Sequence, residues 1–301
     1  MEGTRVKAKV FLNPAAGLKQ ASAAWEVVEQ ILTEVNCAFE HHQTEAGKPC
    51  TDLVRQAARN GYDLVITMGG DGTIMEVANG LVGSDTLLGV IPLGSANVFA
   101  AELGIPNDPE AAARLLFEDH RICLVDLGRA GDRYFALRAS VGLEAEVIEE
   151  TDRNLKNRLG RLAYVVKGIQ ELREAEQAYY TIVSDTEHHQ THALTVYVTN
   201  GAIAGQRPFQ LGPGIRMDDG LLDVAVFSAT GLTDATVLLG KIVLGDYTTD
   251  AHAYYFKARH IWIEADPPQK VQLDGEAYGE TPVEIEVVPA ALKVVCPPEP
   301  L

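Results

Sequence analysis

The sequence predicts an α/β fold in two parts, a parallel sheet covered by helices followed by a mainly antiparallel β-sandwich. Three observations carry that prediction. Strand and helix patterns alternate strictly from Val6 to Leu103, as parallel strands joined by crossover helices require. From about Arg121 the pattern changes to short β-type runs with two helical interruptions. The chain has 301 residues, more than the roughly 250 at which single cores stop growing. Two domains are therefore expected, 1–121 and 122–288, with the tail (about 289–301) assigned to return to the first.

Val6 to Leu12 is an apolar run with the length of a buried strand, and Lys19 to Val35 has the pattern of an amphipathic helix. Cys37 to His41 reads as the second strand, Thr51 to Asn60 as a helix and Leu64 to Thr67 as the third strand. A helix from Thr73 to Leu81, a strand from Leu88 to Ile91 and a helix from Val98 to Leu103 complete the alternation. Right-handed crossovers follow as the default. The second part reads as strands at Ile122–Leu127, Tyr134–Ala139, Tyr179–Val183, Leu194–Thr199, Leu222–Phe227, His260–Glu264, Val271–Asp274 and Val283–Val288. Their β-type composition suits a sandwich or open barrel. Helices near Leu159–Arg173 and Leu232–Leu239 interrupt them.

Composition excludes several classes. With 47% hydrophobic and 22% charged residues, the chain is neither collagen-like nor disordered. A net charge of −17 repels phosphate backbones at long range, so no nucleic-acid partner is expected and an anionic substrate must be met by a local patch or by backbone N–H groups. The four cysteines form no CxxC pair, which predicts four buried free thiols in a reducing compartment. The apolar run within Met1–Gly17 is too short for a signal peptide, and Leu87–Ile105 is broken by Pro92, Ser95, Asn97 and Glu102. A cytoplasmic protein is expected.

Two glycine loops carry the chemistry. The strand Leu64–Thr67 runs into Met68-Gly69-Gly70-Asp71-Gly72-Thr73 and at once into a helix. Glycines at such a turn let a ligand approach the backbone, and the helix N-terminus favours an anion, most naturally a phosphate. No GxxxxGK[ST] is present and GxGxxG is only nearly met at Gly70–Met75. Thr73 and Glu76 also have the spacing of a capping box, so Glu76 can serve the helix alone. Asp71, between glycines, has no core to support and suits magnesium or its water shell. Ile91-Pro92-Leu93-Gly94-Ser95-Ala96-Asn97 repeats the strand-loop-helix pattern. Asn13, Pro14 and Gly17 after the first strand and Thr44 after the second fall on the same carboxyl edge, where ligands bind at a switch in strand order.

Taken together these residues resemble the catalytic domain of the diacylglycerol kinase family, most closely the soluble bacterial lipid kinases. The likeness runs through Asn13-Pro14 with Gly17, Gly69–Thr73 with Glu76-Val77 and Asn79-Gly80, Ile91–Ser95 with Asn97, and Leu103-Gly104-Ile105-Pro106. It resumes at Asp126, Tyr134-Phe135, Asp218–Asp223, Asp274-Gly275-Glu276 and Pro289-Ala290. The resemblance implies a parallel-sheet nucleotide-binding domain, related to that of NAD kinases, and a β-sandwich lipid-substrate domain. It implies an ATP- and Mg2+-dependent kinase that transfers the γ-phosphoryl group to the hydroxyl of a diacylglycerol-like lipid. Asn13, Thr44, Gly69, Gly70, Asp71, Gly72, Thr73 and Ser95 fall at nucleotide positions, Ser95 replacing the commoner threonine. Glu276 falls at the catalytic base, with Asp71 helping to organise magnesium. A structural magnesium is implied at Asp219 with the carbonyls of Arg216 and Leu221. Val98 stands where many of these kinases carry the Asp that helps hold catalytic magnesium, and Leu137 where Asn is frequent.

Plainer readings stand beside these. Asp218-Asp219-Gly220 is also a good turn before a strand, and Glu276 an ordinary turn carboxylate. His188, His189 and His192 read as a solvated turn rather than metal ligands, and His41 and His42, adjacent on a strand, face opposite ways. The basic, partly apolar segment Arg153–Arg173 reads chiefly as a solvated face, with peripheral contact to an anionic inner membrane as the alternative. The rival functions are an NAD kinase, whose Asn-Glu substrate motif is absent, and a catalytically weak lipid-binding or regulatory protein. The acceptor lipid and a homodimer are left open.

Overall fold

The computed structural model describes residues 5–16, 19–142, 177–202, 214–228, 234, 237, 241 and 250–298. The chain divides into two units, Met1–Asp126 with Ala290–Leu301, and Leu127–Pro289.

The first unit is built on parallel strands β1 (Lys7–Leu12), β2 (Ala38–Gln43), β3 (Leu64–Gly69) and β4 (Leu87–Pro92), in the order β2-β1-β3-β4. The end of the long strand β16 (Val283–Cys296) adds a further parallel strand beside β4, with Val294 opposite Leu88. Every residue of β3 is buried, which is why Leu64-Val65-Ile66 shows no polar alternation: a central parallel strand is covered on both faces. Its helices are α1 (Lys19–Glu34), α2 (Thr51–Arg59), α3 (Asp71–Leu81), α4 (Val98–Glu102) and α5 (Pro109–Leu115). Helix α5 is not among the expected elements, although its start is marked: Asp108 accepts the Ala111 N–H and Pro109 opens the first turn.

In the second unit, β5 (Arg121–Ala130) enters from the first, and β6 (Arg133–Phe135) pairs back on it. An antiparallel sheet runs β12 (Ala253–Ala258), β11 (Leu222–Phe227), β10 (Thr195–Thr199), β7 (Arg138–Gly142), β14 (Lys270–Leu273), β15 (Glu276–Glu280). A second is formed by the first half of β16 with β13 (His260–Asp266), β8 (Ala178–Ser184) and β9 (His188–Ala193). Strict alternation along β13 turns Ile261, Ile263 and Ala265 inward, where they join Tyr180, Ile182 and Ile285. Val141, Val196, Val224 and Leu273 line the same core from the other sheet. Each such side chain contributes about 1.5–3 kcal/mol when fully buried.

Four expectations are corrected. The histidine segment is not a turn but β9, paired with β8 from Ala193 to His188. An edge strand needs only the backbone ladder, so its polar side chains hid it. His189 lies tilted against the ring of Tyr254 at 3.6 Å. The run Tyr134–Ala139 is not one strand, because the Asp274 carboxylate accepts the N–H groups of Ala136, Leu137 and Arg138, and Ala136 and Leu137 form a break between β6 and β7. Cys123 and Cys296 are joined by a disulfide, and only Cys37 and Cys50 are free, both buried. The capping box fails for a reason given below. Among the described residues no helix is long and apolar enough to cross a membrane. The segment Arg153–Arg173 and Gly17 lie outside the described residues.

Candidate functional site

The carboxyl edge of the parallel sheet gathers the glycine loops of the first unit. Strand β3 ends at Gly69, Gly70 is extended, and α3 starts at Asp71, with the Ile74 N–H closing the first turn on the Gly70 carbonyl at 3.0 Å. The N–H groups of Asp71, Gly72 and Thr73 precede any intrahelical acceptor and are the donors a helix N-terminus offers an anion. The loop after β4 lies directly against this one. Leu93 N–H donates to the Gly69 carbonyl at 2.8 Å, and a Cβ on Gly94 would stand 2.6 Å from the Gly70 Cα. Only glycine permits that approach.

Side chains hold the two loops together. The Asp71 carboxylate accepts the N–H groups of Val98 (3.1 Å) and Phe99 (3.0 Å), so it caps the short helix that follows the second loop. Asn97, at φ 51°, accepts the Gly94 N–H at 2.8 Å and donates to Asn107. Asn13 donates its amide to the Thr73 hydroxyl at 2.9 Å and its backbone N–H to the Met68 carbonyl at 2.9 Å. Thr44 is fixed at the end of β2 by its N–H to the Leu12 carbonyl, and Gly72 and Ser95 are exposed. Asn13, Gly69–Thr73 and the Ser95 loop thus share one hydrogen-bonded assembly of small residues and outward donors.

Two details differ from the sequence-based reading. Asp71 does have something to support, the start of α4. Each of its oxygens accepts one N–H and keeps a lone pair, so a magnesium or its water shell still fits the carboxylate. Glu76 forms no capping box: Thr73 lies inside α3 and bonds Asn13, while Glu76 Oε2 accepts the Cys50 N–H at 3.1 Å at the start of α2. Burial, reinforced by the Glu76 carboxylate, pushes the Cys50 thiol up to about 12.

In the second unit the β14–β15 hairpin turns on Asp274 (φ 50°) and Gly275 (φ 85°). Positive φ at both central residues is the two-residue turn that matches strand twist, and it asks for Asp-Gly or Asn-Gly. Asp274 is half-buried. Burial pushes its pKa up, opposed by N–H bonds from Arg138, Ala136 and Leu137 at 2.8–2.9 Å. Glu276 follows the turn, exposed, with Oε2 bonded to Arg133 Nη2 at 2.7 Å.

The acidic loop before β11 is already served by a cation. Lys257 Nζ lies 2.9 Å from Asp219 Oδ2, 3.2 Å from the Gly214 carbonyl and 3.4 Å from Asp223 Oδ1, while Asp219 Oδ1 accepts the Leu221 N–H. Arg216 pairs with Asp218. Burial pushes the Asp223 pKa up, against the Tyr255 hydroxyl and the Lys257 ammonium. The magnesium implied at Asp219 fits poorly, because the Lys257 ammonium already neutralises that carboxylate and would repel a second cation beside it. Among the described residues no group of three or more His, Cys, Asp or Glu is disposed to hold a metal. Lys257, Arg133 and the positioning roles of Asn97 and Asp274 escaped the sequence analysis; the Asp-Gly turn was the one signal available.

Residues 7–130 match the family model of the diacylglycerol kinase catalytic domain, and residues 138–296 that of the YegS C-terminal NAD kinase beta sandwich-like domain. The chain is 33% identical to an uncharacterised protein of Synechocystis sp., over 96% of this chain and 70% of that protein. It is 29% identical to the diacylglycerol kinase of Bacillus subtilis, over 97% of each. A solved structure of a candidate diacylglycerol kinase from Bacillus anthracis superposes with a TM-score of 0.83 at 28% identity, covering 100% of this chain and 98% of that one.

Proposed function

This chain belongs to the diacylglycerol kinase catalytic-domain family, and from that premise we propose that it transfers the γ-phosphoryl group of ATP to the hydroxyl of a diacylglycerol-like lipid. The observation that carries the reading is the pair of glycine loops bolted together by Asp71 at the switch in strand order, between β1 and β3. In this reading the N–H groups of Gly70–Thr73 and the helix dipole of α3 hold the triphosphate, with Asn13, Thr44 and Ser95 bordering it. Asp71 is the carboxylate placed to meet the Mg2+ that accompanies ATP, which when bound would neutralise charge on the β- and γ-phosphates.

The transfer then needs a hydroxyl oxygen in line with the γ-phosphorus. As that oxygen bonds to phosphorus, the bond to the bridging oxygen of ADP breaks, and the hydroxyl proton passes to Glu276. Such base assistance contributes roughly a hundred- to ten-thousandfold.

The deciding experiment offers labelled ATP with a panel of lipids in mixed micelles, and NAD alongside. Label in a diacylglycerol or a related lipid alcohol is the expected result. Label in NAD and in no lipid would replace this reading with an NAD kinase. In a lipid the wild type phosphorylates, Glu276→Gln should depress kcat with little change in ATP affinity or Tm. Near-normal turnover would move the base elsewhere.

A further inference from the structure

Glu276 is a poor base if left to itself. A glutamate on an exposed hairpin samples many rotamers, and proton transfer demands that one oxygen wait within hydrogen-bond reach of the attacking hydroxyl. The structure supplies what fixes it. Arg133, at the start of β6, reaches across to the β14–β15 hairpin as a fork: Nη2 donates to Glu276 Oε2 at 2.7 Å and Nη1 to the neighbouring Ala277 carbonyl at 3.2 Å. Oε1 has no protein partner among the described residues, so the fork holds one oxygen and leaves the other open. The same stretch of chain is tied to the hairpin, because Ala136, Leu137 and Arg138 donate to the Asp274 carboxylate in the turn before Glu276. Guanidinium and carboxylate are therefore carried by two segments of backbone tied together through Asp274.

Stability gives no reason for this pair. The two side chains are 39% and 64% exposed, and exposed ion pairs add little. A planar fork spanning a carboxylate and the adjacent carbonyl instead fixes direction, which a lysine's single point charge does not. We propose that Arg133 is a positioning residue of the phosphoryl-transfer reaction, holding Glu276 by Oε2 so that Oε1 is presented to the acceptor hydroxyl. This rests on the reading of Glu276 as the base.

The test uses the full chain, ATP and dioctanoylglycerol in mixed micelles. Arg133→Ala should lower kcat by roughly ten- to a hundredfold, the scale of a misplaced reacting group, with KM for ATP and Tm unchanged. Arg133→Lys should recover only part of the loss. Guanidinium ion at millimolar concentration should partly restore Arg133→Ala and have no effect on Glu276→Gln. The double variant should be no slower than Glu276→Gln alone, since Arg133 acts only through that carboxylate. Near-normal kcat in both Arg133→Ala and Arg133→Gln, or losses that multiply in the double variant, would overturn the inference while leaving the base assignment standing. Full turnover in Glu276→Gln would overturn the base assignment itself, and the inference with it.

Discussion

Replacing Gly94 by alanine tests whether the touching glycine loops are what binds nucleotide. The added Cβ would sit 2.6 Å from the Gly70 Cα and 2.7 Å from Asn97 Oδ1. An ordinary contact begins near 3.4 Å, so the loops must part by about 0.8 Å, and backbone rather than a flexible side chain has to move. Overpacking of this kind costs about 1–3 kcal/mol, which should lower Tm by several degrees without unfolding the chain. The functional loss should be larger, since a displacement near 1 Å at a reacting group costs roughly a hundredfold. The reciprocal change is milder. A Cβ on Gly70 meets the Gly94 Cα at 3.2 Å, so Gly70→Ala needs only a few tenths of an ångström, and Gly70→Val more. Gly72→Ala meets nothing within 4 Å; it should keep its Tm, and any loss of ATP affinity there belongs to the ligand. Calorimetric titration of ATP and thermal melts on the series give the ranking. Equal ATP affinity in wild type and folded Gly94→Ala would refute the reasoning.

Asp71→Asn keeps shape but turns an amide N–H toward one of the two N–H groups of α4, at a cost of about 1–3 kcal/mol; Tm and kcat/KM should fall together, and an unchanged kcat/KM would free the second loop from Asp71. Native protein should show no thiol reactive to a disulfide reagent at pH 8, because burial pushes Cys37 up and holds Cys50 up to about 12. Denatured protein should show two thiols before reduction and four after, matching two free cysteines and one disulfide; four before reduction would exclude the bridge. Lys257→Met leaves Asp219 and the buried Asp223 without their cation, so Tm should fall and magnesium should raise it in the variant but not in the wild type. A wild-type Tm that drops with chelator, and fails to do so in Asp219→Ala, would put a divalent ion on Asp219 despite the lysine.

The parallel half of the molecule was readable because each of its signals is local. Leu64-Val65-Ile66 and Val90-Ile91 are apolar throughout as buried central strands are, and glycine follows each of them shortly before a helix start. Observed boundaries for these elements differ from the sequence-based ones by one or two residues. What the sequence concealed depends on residues remote in the chain. Strand β9 is polar because it needs only β8, and the break at Ala136-Leu137 is caused by a carboxylate more than a hundred positions later. The same holds for the site. Glycines announced the loops, while the partners that give Asp71, Glu76 and Asp219 their roles lie 27, 26 and 38 positions away, beyond the reach of any spacing rule.

The chain leaves the first unit after Asp126 and rejoins it at Ala290, where the Asp126 carboxylate accepts the Ala290 N–H at 2.7 Å. On a ribosome this imposes an order of events. The strand that covers the outer side of β4 emerges last, after the whole interposed segment, so a nascent chain of the first 126 residues carries an incomplete sheet with β4 as an open edge. Such an edge invites pairing with another chain. Residues 1–126 expressed alone should therefore be prone to aggregate, whereas a gene that deletes the interposed segment and fuses the chain from Ala290 to Asp126 by a short linker should yield a soluble first unit.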